Sequence, residues 1–317
     1  MGQAILPQGL LIQLTRRCPL ECKHCYVTAS PRERSTIRAD LIERAISEYA
    51  DIPGARKVLA LTGGDPFVVP NLLESGVALG AAFGFSVHVN TSAFFATTCD
   101  AASKALGKVS GLTQLEISID AEHQRFVPLE RVANALEAAR RLAISTQLAI
   151  QAEDVASEEI GRLRMRFPEA TLYVQDFTPV GGRNERVDSH PHRMPRESTG
   201  GCGKVGSIFI DETGLVFPCC SAVVASRAHE PAVQEHFALG RLDEAPLAQI
   251  LGRLNSLRLR SVRCMGPSAL RKFVEDNSSS VFRSFCDECV HLATDGDLDG
   301  MESDEIGRLL EWAMQDS

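Results

Sequence analysis

The sequence predicts an α/β fold: a partial (β/α)6 barrel of the TIM type, followed by a small C-terminal α+β domain. Apolar strand-like segments alternate with helical patterns through the first half of the chain, and this alternation stops near residue 179. Strands that are separated by helices form parallel βαβ units with right-handed crossovers. Six such units suit a partial barrel better than a full barrel, which has eight.

Six segments carry the strand pattern: residues 10–14, 57–63, 85–90, 112–120, 146–151 and 171–177. The helical patterns between them cover residues 37–50, 69–82, 97–107, 126–143 and 156–167. In the first helix the apolar residues recur at helical spacing, namely Ile37, Leu41, Ile42, Ala45, Ile46 and Tyr49. Barrels of this type keep their chemistry at the carboxyl ends of the strands, so functional residues are expected where each strand ends.

A stretch rich in Gly, Pro and polar residues around 179–201 predicts a linker or long loop. We therefore expect one domain over residues 1–184 and a second over residues 185–317. The second contains SIFIDETGLVFP, which predicts a β-hairpin with its turn at residues 211–214. Short helices are predicted around residues 244–255 and 267–276, and an amphipathic helix near 303–315.

The charge balance excludes several classes of partner. Lys and Arg number 33 and Asp and Glu number 41, so the net charge is −8, and a chain without a basic tract is a poor candidate for nucleic-acid binding. No apolar run reaches the roughly 18 residues of a membrane span, and no signal peptide is recognisable, which predicts a cytoplasmic protein. Ten cysteines are unusual for a cytoplasmic protein. Because the reducing cytoplasm discourages disulfides, metal binding or redox chemistry is the usual role of such cysteines.

Three of these cysteines follow the first strand in RRCPLECKHCYVT, where Cys18, Cys22 and Cys25 have the spacing CxxxCxxC. Iron–sulfur clusters are normally held by four thiolates, so three thiolates leave one iron open to another ligand. This spacing resembles that of the radical S-adenosylmethionine (SAM) enzymes. The resemblance implies a [4Fe–4S] cluster whose open iron chelates SAM, and reductive cleavage of SAM to a 5′-deoxyadenosyl radical. A zinc knuckle is the alternative, although structural zinc takes four ligands.

Further residues resemble the SAM-binding positions of that family. TGGDP, with Gly63, Gly64 and Asp65, resembles its GGEP motif, and implies that backbone groups and the Asp65 carboxylate hold the methionyl amino group. Asp65 departs from the more frequent Glu by its shorter side chain. The residues that resemble ribose- and carboxylate-contacting positions are Asn90, Ser118 and Asp120, and His24 stands where an aromatic residue packs near the adenine.

The later cysteines resemble an auxiliary-cluster domain of the SPASM/Twitch type. Cys202 and Cys219 flank the hairpin, with Gly214 five residues before Cys219, and FCDECVHL supplies the CxxC pair Cys286 and Cys289. A full SPASM domain carries further cysteines after that pair, and none follows here. The resemblance therefore implies one auxiliary [4Fe–4S] cluster held by these four cysteines, with a four-cysteine zinc ribbon as the alternative.

Cys220 cannot easily share a metal with Cys219, because consecutive side chains of an extended segment point to opposite faces. A free Cys220 thiol in the barrel mouth could donate a hydrogen atom to a carbon radical. The FPCC segment, the late CxxC pair and the pattern of Ser118, Asp120 and His123 resemble radical SAM peptide epimerases. Alternatively, Cys220 is a spare core cysteine. We expect Cys264 to be an inert thiol, with a competing fourth ligand of the auxiliary cluster as the alternative, and Cys99 to be an ordinary small buried residue.

The resemblance implies L-to-D epimerisation in a ribosomally made precursor peptide, with an electron donor such as flavodoxin or ferredoxin. Few residues precede the first strand, so peptide capture is expected to use the barrel mouth, the linker or a separate peptide-recognition protein. A maturase that forms thioether or carbon–carbon crosslinks is the alternative activity. A metal-binding scaffold without enzymatic activity is the alternative class.

Overall fold

The parallel sheet expected from the sequence is present. The computed structural model describes residues 4–152, 158–176, 201–273 and 284–294. Its first six strands are β1 Gly9–Gln13, β2 Val58–Thr62, β3 Ser86–Thr91, β4 Leu112–Ser118, β5 Ser145–Ala152 and β6 Thr171–Asp176. Each pairs in parallel with the next strand in sequence, giving the order β6-β5-β4-β3-β2-β1. The predicted α/β fold is therefore confirmed.

The helices between these strands follow the sequence pattern, with shifts at their ends. They are α1 Ala39–Ala50, α2 Pro70–Ala82, α3 Cys99–Leu106, α4 Ala121–Gln124, α5 Leu129–Arg141 and α6 Glu158–Arg166. α3 begins later than predicted because the Thr98 hydroxyl accepts a hydrogen bond from the Ala101 N–H at 3.1 Å and caps the helix there. α5 begins after Pro128, whose extended backbone separates it from the one-turn helix α4. That short helix was not predicted.

The core lies between the sheet and these helices. Leu10 and Ile12 of β1 are fully buried, and the predicted apolar face of α1 is buried against them, including Ile46 and Tyr49. α2 approaches the sheet closely at Gly80, where a Cβ would lie 2.6 Å from a Leu59 methyl carbon. Close packing of this kind fixes the helices on the sheet and holds the strand ends in place.

The predicted hairpin extends the same sheet. β7 Ser207–Ile210 and β8 Leu215–Phe217 pair antiparallel, and a short strand β9 Gly240–Arg241 follows. β7 pairs in parallel with β1, so the described residues form one sheet of nine strands. The turn is held by the Asp211 carboxylate, which accepts hydrogen bonds from Thr213 and from the Leu215 N–H. The hairpin thereby covers the edge of β1 that the parallel strands leave open.

The C-terminal helices are α7 Ala222–Arg227, α8 Pro231–His236, α9 Leu247–Gly252, α10 Leu257–Met265, α11 Pro267–Phe273 and α12 Phe285–Thr294. α9 and α11 agree with the predicted short helices, whereas α7, α8, α10 and α12 were not predicted. The predicted helix at 303–315 and most of the 179–201 linker lie outside the described residues. Within the described part, none of the helices has the length and apolar character needed to cross a membrane.

Candidate functional site

The first cysteine loop is fastened to the end of β2 through two glycines. The Gly64 N–H donates to the Thr15 carbonyl at 2.7 Å, and the Asp65 N–H donates to the Arg17 carbonyl at 3.0 Å. Gly63 has a φ of +150°, and a Cβ on Gly64 would lie 2.2 Å from the Arg17 carbonyl oxygen. Only glycine permits this approach. The glycines therefore set the position of the chain that leads directly into Cys18.

Cys18, Cys22 and Cys25 line one cavity of about 140 Å³, the first cavity. Cys18 and Cys22 are buried, and burial together with the charge of Asp65 raises the pKa of Cys18. Backbone N–H groups point at two of the sulfurs, from Leu20 to Cys18 at 3.4 Å and from Ala29 to Cys25 at 3.3 Å. A metal would displace the thiol protons, and such N–H donors stabilise the resulting thiolates. The donor set therefore fits an iron–sulfur cluster.

The ends of β2, β3, β4 and β5 complete the wall of the first cavity. Six of the seven predicted SAM-binding residues line it: His24, Gly63, Gly64, Asn90, Ser118 and Asp120. His123, which the sequence analysis named as part of a family pattern, also lines the cavity, and the sequence analysis missed further lining residues, namely Thr91, Ser92, Glu116 and Gln151. Their position at or near strand ends was the available signal, since neighbouring parallel strands end at one edge of a sheet.

Asp65 is the predicted SAM-binding residue that does not line this cavity. Its side chain is fully buried, and it accepts hydrogen bonds from the hydroxyl groups of Thr91 and Ser92 and from the N–H groups of Ser92 and Phe67, at 2.8–3.1 Å. These donors occupy both carboxylate oxygens. The short Asp65 side chain thus ties the β2 loop to the end of β3. The sequence analysis instead expects this carboxylate to hold the amino group of SAM.

His24 and His123 bracket the Asp120 carboxylate. His24 Nε2 lies 3.2 Å from Asp120 Oδ2, and His123 Nδ1 lies 2.9 Å from Asp120 Oδ1. Burial alone would raise the pKa of Asp120, but the hydrogen bonds from His123 and His24 outweigh it and hold this pKa well below its usual range. Asp120 is therefore ionised and fixes both rings. The ligand atoms of the three side chains lie within 4.8 Å of one another, a spacing that a metal ion could also use.

The structure brings the four later cysteines together at the side of the sheet formed by β7 and β8. Cys202 precedes β7, Cys219 follows β8, and Cys286 and Cys289 lie on α12. Burial raises the pKa of Cys219, and the charges of Cys289 and Cys286 raise it further. Burial and the charges of Cys202 and Cys286 likewise raise the pKa of Cys289. Cys219, Cys286 and Cys289 pack in one apolar cluster, and Cys202 and Cys289 both pack against the main core.

α12 is anchored by a buried ion pair. Glu288, between the two cysteines of this helix, has no exposed side-chain surface, and Arg271 Nε donates to its Oε1 at 2.7 Å. The Ser268 hydroxyl donates to Oε2. A buried carboxylate requires such partners, and they fix the helix that carries Cys286 and Cys289.

Cys220 faces a different space from Cys219. It lines the second cavity, of about 490 Å³, together with Leu11, Phe209, Tyr173 and Lys204. The two cavities share wall residues: His24, Tyr26, Val27, Thr62, Gly63, Asn90 and Gln151. Burial raises the pKa of the Cys220 thiol, while the charge of Lys204 and a hydrogen bond from the Ser207 side chain act in the opposite direction. Cys220 is therefore a protonated thiol in a cavity that adjoins the first.

The remaining two cysteines lie outside these groups. Cys264 is exposed on α10, and Cys99 is half-buried at the start of α3, packed against the main core. Neither lines either cavity.

Comparison with known proteins agrees with this geometry. Residues 12–150 match the model of the Radical SAM superfamily. The "Putative peptide biosynthesis protein YydG" of Bacillus subtilis (strain 168) is 20% identical over 222 residues, covering 67% of this chain and 69% of YydG. The "Antilisterial bacteriocin subtilosin biosynthesis protein AlbA" of the same organism is 35% identical over 71 residues, 22% of this chain and only 15% of AlbA.

A solved structure shares the fold over nearly the whole chain. "Native anSMEcpe with bound AdoMet" superposes with a TM-score of 0.62 at 12% sequence identity, covering 97% of this chain and 100% of that chain. At this identity the likeness concerns the fold alone.

Replacing Gly64 tests the fastening of the cysteine loop. We expect Gly64→Ala to displace residues 15–18 from the end of β2, because the new Cβ meets the Arg17 carbonyl, and therefore to lower both iron content and thermal stability. Gly161→Ala is the matched control, since a Cβ there meets nothing within 4 Å, and helical Ala is favoured over Gly by about 0.5–1 kcal/mol. Iron content and melting temperature equal to wild type in Gly64→Ala would contradict the assignment.

Proposed function

We propose that this protein converts an L-residue of a ribosomally made peptide to the D-form. The premise is that residues 12–150 form a radical SAM domain and that the chain is a radical SAM enzyme related to peptide-modifying proteins. One observation carries this proposal. The protonated Cys220 thiol lines a cavity that adjoins the cavity of Cys18, Cys22 and Cys25, whereas the neighbouring Cys219 lines neither of the two.

The first cavity would hold SAM and its cluster. Cys18, Cys22 and Cys25 would ligate the [4Fe–4S] cluster, and the SAM-facing wall would consist of Gly63, Gly64, Asn90, Ser118 and Asp120, with His24 beside the adenine. When bound and reduced, this pair supplies a 5′-deoxyadenosyl radical that removes a hydrogen atom. Asp65 would act through Thr91 and Ser92, by holding the end of β3 in position.

The four later cysteines would hold an auxiliary [4Fe–4S] cluster. A single zinc ion with sulfur ligands at about 2.3 Å brings those sulfurs to roughly 3.8 Å from one another. Among the described residues, no three of the four later cysteines have sulfur atoms that all lie within 4.8 Å of one another. His24, Asp120 and His123 do meet that limit with their ligand atoms. A four-cysteine zinc ribbon is the alternative occupant of this site, and iron analysis distinguishes the two.

The peptide would occupy the second cavity. Leu11, Val174 and Phe209 provide apolar wall, and Gln13 and Gln151 provide amide groups that can pair with a peptide backbone. Entry into this cavity brings a peptide Cα between the shared wall and Cys220. A separate peptide-recognition protein would assist capture.

In the proposed step, the Cys220 S–H bond breaks and a new Cα–H bond forms on the face opposite to the one that lost its hydrogen atom. The sulfur radical that remains takes up one electron and one proton to restore the thiol. The electron comes from an external donor such as flavodoxin or ferredoxin. The raised pKa of Cys220 keeps the transferable hydrogen on sulfur at neutral pH.

A maturase that forms thioether or carbon–carbon crosslinks is the alternative activity within this class. Such an enzyme needs the radical but no hydrogen-atom donor, so Cys220 distinguishes the two.

Removing the thiol tests the donor. We expect Cys220→Ala to cleave SAM to 5′-deoxyadenosine at a rate within about threefold of wild type, and to form no D-residue, because no hydrogen atom is delivered to the second face. Chiral amino-acid analysis of the hydrolysed peptide measures the second quantity. Cys264→Ala, which removes an exposed thiol, is expected to behave as wild type. An undiminished yield of D-residue in Cys220→Ala would refute the donor role.

Iron analysis tests the auxiliary cluster separately. Two [4Fe–4S] clusters give roughly eight irons per chain, and we expect the double variant Cys286→Ala/Cys289→Ala to retain roughly four. Cys220→Ala should keep the full content, because its side chain faces the second cavity. Zinc bound in place of iron, or an unchanged iron content in the double variant, would count against the auxiliary cluster.

A further inference from the structure

Glu116 is a carboxylate inside the barrel that the proposed mechanism does not use. It lies on β4, two residues before Ser118, and its side chain lines the first cavity. Its register partner on β3 is Asn90, whose Nδ2 donates a hydrogen bond to Glu116 Oε1. A carboxylate can accept about four hydrogen bonds, so this contact leaves most of its capacity to the cavity.

The charge of Glu116 is not balanced by a neighbouring cation in the wall of this cavity. Two carboxylates line it, and the other one, Asp120, has two histidines against it. Among the described residues that line the cavity there is no lysine or arginine. Burial is the cause that raises the pKa of Glu116. A half-buried carboxylate in this situation is costly until a cation reaches it.

Glu116 also lies close to the cysteine loop. Tyr26, which directly follows Cys25, lines both cavities. Glu116 and Cys25 line the same cavity of about 140 Å³ as this tyrosine. A cation bound in that cavity beside the cysteines therefore lies within electrostatic reach of Glu116.

We propose that Glu116 is the counter-ion of the positively charged sulfonium of SAM, and that it makes the first cavity select SAM over the uncharged thioether S-adenosylhomocysteine. The proposal rests on the SAM site described under the proposed function. A sulfonium carries no N–H or O–H group, so it needs charge rather than a hydrogen bond. Glu116 can therefore attract it while keeping its contact with Asn90.

The test compares the dissociation constants of SAM and S-adenosylhomocysteine for the protein with its clusters in the oxidised state, in which SAM is not cleaved. Equilibrium dialysis under anaerobic conditions gives both values. Glu116→Gln preserves side-chain volume and an oxygen acceptor for Asn90 but removes the charge. We expect it to weaken SAM binding about tenfold, as loss of a partly buried charge pair would, and to leave S-adenosylhomocysteine binding within about twofold.

Two further variants separate charge from structure. Glu116→Asp keeps the charge and is expected to keep the preference for SAM. Glu137→Gln removes a charge from the exposed surface of α5, and should change neither dissociation constant. Equal weakening of both ligands in Glu116→Gln, or no weakening of either, would overturn the proposal.

The wild-type protein provides an independent check if Glu116→Gln does not fold. Tighter binding of SAM than of S-adenosylhomocysteine supports the proposal, and equal affinities overturn it. These outcomes are distinct from failure of the proposed function, because a protein that binds SAM with this preference and yet forms no D-residue leaves the role of Glu116 intact.

Discussion

The parallel pairing of β1 with β7 is the constraint on which the arrangement of the two cysteine groups depends. β1 leads into the loop of Cys18, Cys22 and Cys25, and the β7–β8 hairpin leads into Cys219 and Cys220. Leu11 and Phe209 are register partners in this pairing, and both line the second cavity. Because the two strands share one ladder of hydrogen bonds, Cys220 is held at a fixed position relative to the cavity of the first cysteines.

Electrostatics divide the polar groups around the first cavity into two kinds. The protein's own donors fill all or most of the acceptor capacity of Asp65 and Asp120. Asp65 accepts hydrogen bonds from Thr91, Ser92 and Phe67. Asp120 contacts His24, His123 and the start of α4. Such carboxylates position the backbone and the rings around them. Glu116 instead keeps most of its acceptor capacity for the cavity, where a cationic ligand would complete it. The acidic groups within this small volume therefore differ in how much acceptor capacity they leave to a ligand.

The sequence was sufficient where local pattern decides the outcome. Apolar spacing located α1, strand ends located most of the first cavity, and the Asp211 turn located the hairpin. Three features depend on contacts distant in sequence and had no local signal: the pairing of β7 with β1, the burial of Asp65 against β3, and the ion pair of Glu288 with Arg271. Glu116 was missed for a different reason, since a charged residue within a strand ordinarily indicates a solvent-facing position, whereas Glu116 lies on the face of the sheet that lines the first cavity.

The central claim is that Cys220 delivers a hydrogen atom to a peptide radical. The measurement that tests it most directly is the mass spectrum of the precursor peptide after anaerobic reaction with SAM and a reductant in D₂O. An exchangeable thiol carries deuterium in that solvent, so the account predicts a gain of one deuterium at each modified residue and no other change. Loss of two hydrogen atoms without deuterium uptake would contradict it, because that result indicates crosslinking and leaves Cys220 without a role in the chemistry.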